Sequence, residues 1–206
     1  MQHDFILLDR SGSMASQWRE AINSVNNYVH ELAKKEVDTG VTLAVFDTGV
    51  DGSGIDFRII RERIIPRTWH DVGYDEISPR NGTPLNDATA RLIHIAEAGH
   101  YDKVAIIIMT DGEENSSREY TGPAIKSKLD ACRAKNWQVI FLGANFDPAK
   151  QSLHYGIAAG QNFRSTTANL AASTASLATK RATYGVTGQS INYSDDEKAQ
   201  LGTDHS

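Results

Sequence analysis

The sequence predicts an α/β fold: doubly wound, with a mainly parallel central sheet, one antiparallel edge strand and helices on both faces. Three observations predict it. Short apolar runs alternate with stretches of helical periodicity, the pattern of parallel strands joined by crossover helices. The runs are rich in Val, Ile and Phe, as strands buried on both sides require. One pair of runs, Val41–Phe46 and Asp56–Ile65, has only a Gly-rich turn between its members. That gap is too short for a crossover, so the pair reads as an antiparallel hairpin at the sheet edge.

In chain order the first strand is Phe5–Leu8. Trp18, Ala21, Ile22, Val25, Tyr28, Val29 and Leu32 then recur at three- and four-residue steps, making one apolar stripe on a helix that faces the core. The hairpin follows; its second strand carries Arg58, Arg61, Glu62 and Arg63, charges that discourage strand addition at an edge. A polar stretch from Pro66 to Gly82 leads into a helix from Pro84 to about Ala98, with proline as start signal and Gly99 as stop. Val104–Met109 is the next parallel strand. Ser116 or Ser117 is placed to cap a helix running to about Lys135, and Val139–Leu142 is the strand after it. Asp147 and Pro148 open a short helix, and Asn162–Arg164 forms a last strand. The Ala/Ser/Thr-rich stretch Thr167–Tyr184 keeps helical spacing through Leu170, Ala171, Thr174, Leu177, Ala178 and Arg181, and reads as a final helix packed closely on the sheet. Residues 1–184 are expected to form one domain, and 185–206 a polar, loosely ordered C-terminal tail.

At 206 residues the chain suits one such domain, large enough to bury about 70% of its unfolded surface without a covalent staple. Its single cysteine, Cys132, has no internal disulfide partner and reads as a small core residue. A net charge of −5 argues against general nucleic-acid binding, which needs basic patches to neutralise phosphate. The N-terminal segment has no basic region, and its apolar run is only Phe5–Leu8, so neither a signal peptide nor a membrane span is expected. The expected location is the cytoplasm, or a host cytoplasm or virion for a viral protein.

Three polar clusters fall at the carboxyl ends of strands or on loops beyond them: Asp9-Arg10-Ser11-Gly12-Ser13, Gly82-Thr83-Pro84, and Thr110-Asp111-Gly112-Glu113-Glu114. Open α/β sheets bind ligands in the crevice outside those strand ends. Two carboxylates and three hydroxyls make an oxygen-only set, suited to magnesium or another hard divalent ion such as manganese or calcium. No cysteine set or zinc-spaced histidine pair competes with it. Hydroxyls from Ser11, Ser13 and Thr83 leave such an ion much of its charge. Asp9 and Asp111 would act partly through coordinated water, and one position would stay open for an outside carboxylate. Gly12 is expected to permit the tight turn between Ser11 and Ser13.

Asp9-x-Ser11-x-Ser13, Thr83 within Gly-Thr-Pro-Leu, and Thr110-Asp111-Gly112 together resemble the metal-ion-dependent adhesion site of von Willebrand factor A domains. The resemblance covers about residues 3–184 and is nearest to small standalone bacterial and phage members. It implies Ser11, Ser13 and Thr83 as direct ligands in the engaged state, with Asp9 and Asp111 mostly bridging through water. It also implies a protein partner supplying an Asp or Glu carboxylate, in some relatives an AAA+ ATPase or an assembly component. The last helix moves with metal occupancy in some members. No turnover is expected.

Blander roles stand beside these. Asp9, Ser11 and Ser13 could form a simple turn or helix cap, and Thr83 an N-cap before Pro84. Glu113 and Glu114 read as a solvated acidic rim, Asp87 as a surface or supporting acid, and Arg10 as pointing to solvent beside the site. Trp69 and Tyr74 lie on the long loop before Thr83, at the rim or in the core. Two other functions are weighed. One is a structural or assembly protein, viral for example, whose metal stiffens the top face. The other is a magnesium-dependent phosphoryl hydrolase. That enzyme class wants an acid two residues after its first aspartate, where Ser11 stands, and a lysine near the end of the third parallel strand, whereas Lys103 precedes it.

Overall fold

The computed structural model describes residues 1–52, 54–111, 114–143, 155–156, 162–164 and 169–202. Six strands form one sheet: β1 (Gln2–Asp9), β2 (Gly40–Thr48), β3 (Ile55–Ile64), β4 (Lys103–Met109), β5 (Gln138–Gly143) and β6 (Asn162–Arg164), in the order β3-β2-β1-β4-β5-β6. All neighbours are parallel except β2 and β3, the edge hairpin the short connection demands. β3 is bulged against β2, and Arg63 adopts a positive φ there, so the edge is irregular as well as charged.

The helices are α1 (Trp18–Lys34), α2 (Leu85–Ala98), α3 (Gly122–Ala134), α4 (Leu170–Thr187) and α5 (Asp195–Gly202). Alternation along the strands divides their side chains between two cores. Ile6 and Leu8 of β1 face α1 and α4, while Phe5 and Leu7 face α2 and α3. Every member of the α1 apolar stripe is buried. The chain reaches α1 through a 3-10 turn at Gly12–Gln17, so the loop leaving β1 is itself compact. Among the described residues no helix is long and apolar enough to cross a membrane.

Two elements differ from expectation. α3 begins at Gly122 rather than at Ser116 or Ser117. The amides of both serines are taken by the Glu114 carboxylate, and those of Arg118, Glu119 and Tyr120 by Asp87, so residues 114–121 are held as a loop. Residues 185–202 also form regular structure where a loose tail was expected. α4 runs on to Thr187 and stops at Gly188, whose left-handed φ of 74° and amide bond to the Tyr184 carbonyl form a C-cap. Ile191 and Tyr193 are buried in the α1/α4 core. Ser194 and Glu197 then cap α5 reciprocally. The short helix expected from Asp147 and Pro148 lies outside the described residues, as do Thr167 and Ala168 of the expected last helix.

α4 is fastened to the amino end of β1. The Arg181 guanidinium, fully buried, meets the buried Asp4 carboxylate at 2.6 Å, and Tyr28 and Thr39 donate to the same carboxylate at 2.7 and 3.1 Å. Burial, and then the Asp4 charge, push the Tyr28 phenol well above its ordinary range, so it remains a donor.

Candidate metal centre

β1 and β4 are adjacent and parallel, so the residues that leave their carboxyl ends emerge side by side. Asp9 is the last residue of β1 and is buried. One carboxylate oxygen accepts the Ser11 amide at 2.7 Å, and the other accepts the Thr110 hydroxyl, just past β4, at 2.6 Å. The Ser11 and Ser13 hydroxyls are 3.1 Å apart, and Ser13 donates to Asp111 at 2.9 Å. Asp9, Ser11, Ser13 and Asp111 are thus joined in one run of hydrogen bonds, from a buried floor to exposed Ser13 at the rim. Gly12 does not take a left-handed conformation, and a Cβ there would meet only the Asn81 carbonyl at an ordinary 3.4 Å. The serines are brought together by the 3-10 turn, with the Gly12 amide bonded to the Asn81 carbonyl.

Thr83 stands on the loop whose Asn81 carbonyl accepts the Gly12 amide at 3.0 Å. Asn115 grips its backbone from both sides, accepting the Thr83 amide at 2.9 Å and donating its own amide to the Thr83 carbonyl at 3.1 Å. Gly82 allows this close approach, because a side chain there would run into Thr48, Asn115 and Ser116. Among the described residues no side-chain hydrogen bond joins Thr83 to the other four. Gly112 and Glu113 lie outside the described residues.

Burial raises the Asp9 carboxyl to about 6, against the opposing pull of its bonds from Thr110 and Ser11. A positive charge beside it would offset that penalty. The donors here are two carboxylates and neutral hydroxyls, all oxygen, which fits a hard divalent cation. Among the described residues no group of three or more His, Cys, Asp or Glu gathers anywhere. Softer-metal chemistry therefore has no comparable set there.

Several neighbours behave differently from the sequence expectation. Arg10 does not point to solvent; it is buried, and its Nη2 donates to Asp47 and Asp56, both at 2.9 Å. Arg80 donates to the same two carboxylates, to Asp47 at 2.6 Å. Sequence reasoning did not connect these four residues; the available signal was an Asp at the end of β2 opposite an Arg in the first loop. Glu114 is no solvated rim acid, since its oxygens accept the amides of Asn86, Ser116 and Ser117. Asp87 is a supporting acid, buried at the start of α2, and holds three backbone amides of the following loop. Trp69 is core, its indole bonded to Asn26, while Tyr74 is exposed with Arg19 over its ring at 4.9 Å. Lys103 lies at the far end of β4, donating to the Gly185 carbonyl. Cys132 is buried, and its thiol is pushed up to about 11 by that burial.

No protein-family model matches the chain, and no curated protein matches it in sequence. Solved structures do. The vWF domain of the type V pili tip protein Mfa5 from Porphyromonas gingivalis aligns over 94% of this chain and 97% of that one, at 12% identity and a TM-score of 0.67. The pilus adhesin SpaC from Lactobacillus rhamnosus GG aligns over 91% of this chain and 31% of its own, at 13% identity and a TM-score of 0.64. Proximal thread matrix protein 1 from the mussel byssus aligns over 84% of this chain, at 18% identity and a TM-score of 0.60. This chain spans less than half of that mussel structure, 46% of it. At such identities the likeness is one of architecture, and the architecture is that of a von Willebrand factor A-like α/β domain.

Proposed function

We propose that this chain is a protein-binding module that uses one divalent cation, magnesium by preference, to hold an acidic side chain of its partner. The observation that carries the reading is the run Asp9–Ser11–Ser13–Asp111 across the carboxyl ends of two neighbouring strands, with Ser13 within it exposed. Asp9, Ser11, Ser13, Thr83 and Asp111 would hold the ion. Bound there, it supplies positive charge that the hydroxyls leave uncompensated, and a carboxylate from outside is the natural complement. The opening to solvent favours binding over a closed structural site. Hydrolysis finds little support, since Ser11 stands where an acid is wanted and Lys103 is at the wrong end of β4. The structures similar in fold include a pilus tip protein and a pilus adhesin, which supports an adhesion or binding role.

Titration calorimetry with magnesium on the wild type and on Asp111→Ala tests the ion. Saturable binding that weakens at least tenfold in the variant is expected; a wild type with no binding would overturn the metal reading. For the partner, a displayed peptide library should yield Asp- or Glu-containing ligands in magnesium that are lost in chelator and on Asp9→Ala. Ligands retained equally under all three conditions would refute metal-mediated recognition.

A further inference from the structure

Arg10 sits between Asp9 and Ser11, and its backbone is shared by two elements. Its amide donates to the Phe46 carbonyl of β2 at 3.0 Å, and its carbonyl accepts the Arg80 amide at 2.7 Å. Three residues before Thr83, Arg80 turns its side chain to the same carboxylates that Arg10 holds, Asp47 near the end of β2 and Asp56 near the start of β3. Two guanidiniums and two carboxylates therefore form one closed set, and the Gly12 amide bonded to the Asn81 carbonyl at 3.0 Å lies next to it.

We propose that Arg10 and Arg80 are positioning residues: through Asp47 and Asp56 they fix the Asp9–Ser13 loop and the Thr83 loop at a set separation before any cation arrives. Stability alone does not explain the arrangement. Buried ion pairs commonly repay little more than their desolvation, and the Nε of Arg10 is buried with no hydrogen-bond partner among the described residues. What the set does deliver is geometry. Among the described residues no side-chain bond joins Ser11 or Ser13 to Thr83, so the spacing of their two loops depends on contacts behind the site. The charges of Arg10, Arg80, Asp47 and Asp56 cancel within the set. Arg58, half exposed, adds a third guanidinium 3.4 Å from Asp56 at its outer side. The proposal rests on the metal reading above for its purpose, but its geometric content stands apart from it.

Arg80 is one-third exposed and so tolerates replacement better than Arg10, whose loss would leave buried Asp47 with one partner fewer. Amide hydrogen exchange on the metal-free protein and magnesium calorimetry should be run on wild type, Arg80→Met and Arg80→Lys. In Arg80→Met the amides of Gly12 and position 80 are expected to exchange at least tenfold faster, with those of β1 and β4 unchanged. Magnesium should bind about tenfold more weakly, the scale seen when supporting partners of a metal site are removed. Arg80→Lys should restore part of both. Wild-type exchange at Gly12 would overturn the proposal, and so would loosening spread equally through β1 and β4, which marks a merely structural role. If the wild type binds no magnesium, the metal reading fails and the exchange result still decides this one. Should Arg80→Met not fold, Asp56→Asn carries the same expectations, because it weakens a partner common to both arginines.

Discussion

A residue's chemistry in this domain depends on which end of a strand it occupies. Asp9, at the carboxyl end of β1, is buried yet reaches two donors and leads out to an open rim. His3, near the other end of the same strand, is buried with its ring against Phe5 and Tyr101 and its Nε2 2.9 Å from the Thr42 hydroxyl. Burial lowers the His3 imidazole to about 4; Asp4 pulls the other way, and Arg63 and Arg181 add to the lowering. The unfolded chain takes up a proton near pH 6.5 that the folded one refuses. Stability from this residue is therefore complete above pH 6.5 and lost as pH falls through about 4, a loss of about 3 kcal/mol at most. His3→Gln keeps a polar group for Thr42 and has nothing to titrate. Urea melts between pH 7 and 4 should show a flatter decline in the variant, and parallel declines would refute the assignment. Asp9, Ser11, Ser13 and Asp111, which hydrogen bonds join in the structure, could be grouped from sequence because they follow the carboxyl ends of two apolar runs. Arg10 was not, because pairing it with Asp47 and Asp56 requires knowing that β1 lies beside β2.

Among elements, the strands and the apolar helices were readable from period alone, since each buries a face whose spacing the sequence displays. What escaped were segments decided by polar bonds across distance. The start of α3 moved to Gly122 because Asp87, 31 to 33 residues earlier, claims the amides of Arg118, Glu119 and Tyr120. Asp87→Ala leaves those amides without their carboxylate and should destabilise the protein by about 2–4 kcal/mol, Asp87→Asn by about half as much. Faster exchange at residues 118–120 would accompany it; unchanged denaturant midpoints for both variants would refute the role. The α5 start was legible in principle, since Ser194-Asp-Asp-Glu197 is a capping box, but the acidic composition of that stretch suggested a tail instead. The apolar signal that ties it down is only two residues, Ile191 and Tyr193, too few to display a period.

Over the whole molecule, one strand serves both cores. β1 lies between β2 and β4, sends alternate residues to opposite faces, and ends in the first part of the candidate site. Shifting its register by one residue would exchange its two apolar sets and turn Asp9 away from Thr110, so the sheet's packing also sets the site's geometry. The order of strands has a kinetic consequence. β1 can pair fully only with segments far along the chain, and the bond from Asp9 to Thr110 closes a separation of 101 residues. Closing so long a loop is entropically costly, and the candidate site is complete only once that closure is made. A cation that binds the finished set has little to grip in the barrier state. Magnesium is therefore expected to slow unfolding while leaving the refolding rate unchanged, and stopped-flow chevrons with magnesium and with chelator would reveal the difference. Bound as proposed, the ion would act as a brake on opening rather than an aid to assembly, and a partner that adds its own carboxylate would lengthen the life of the fold as well as of the complex.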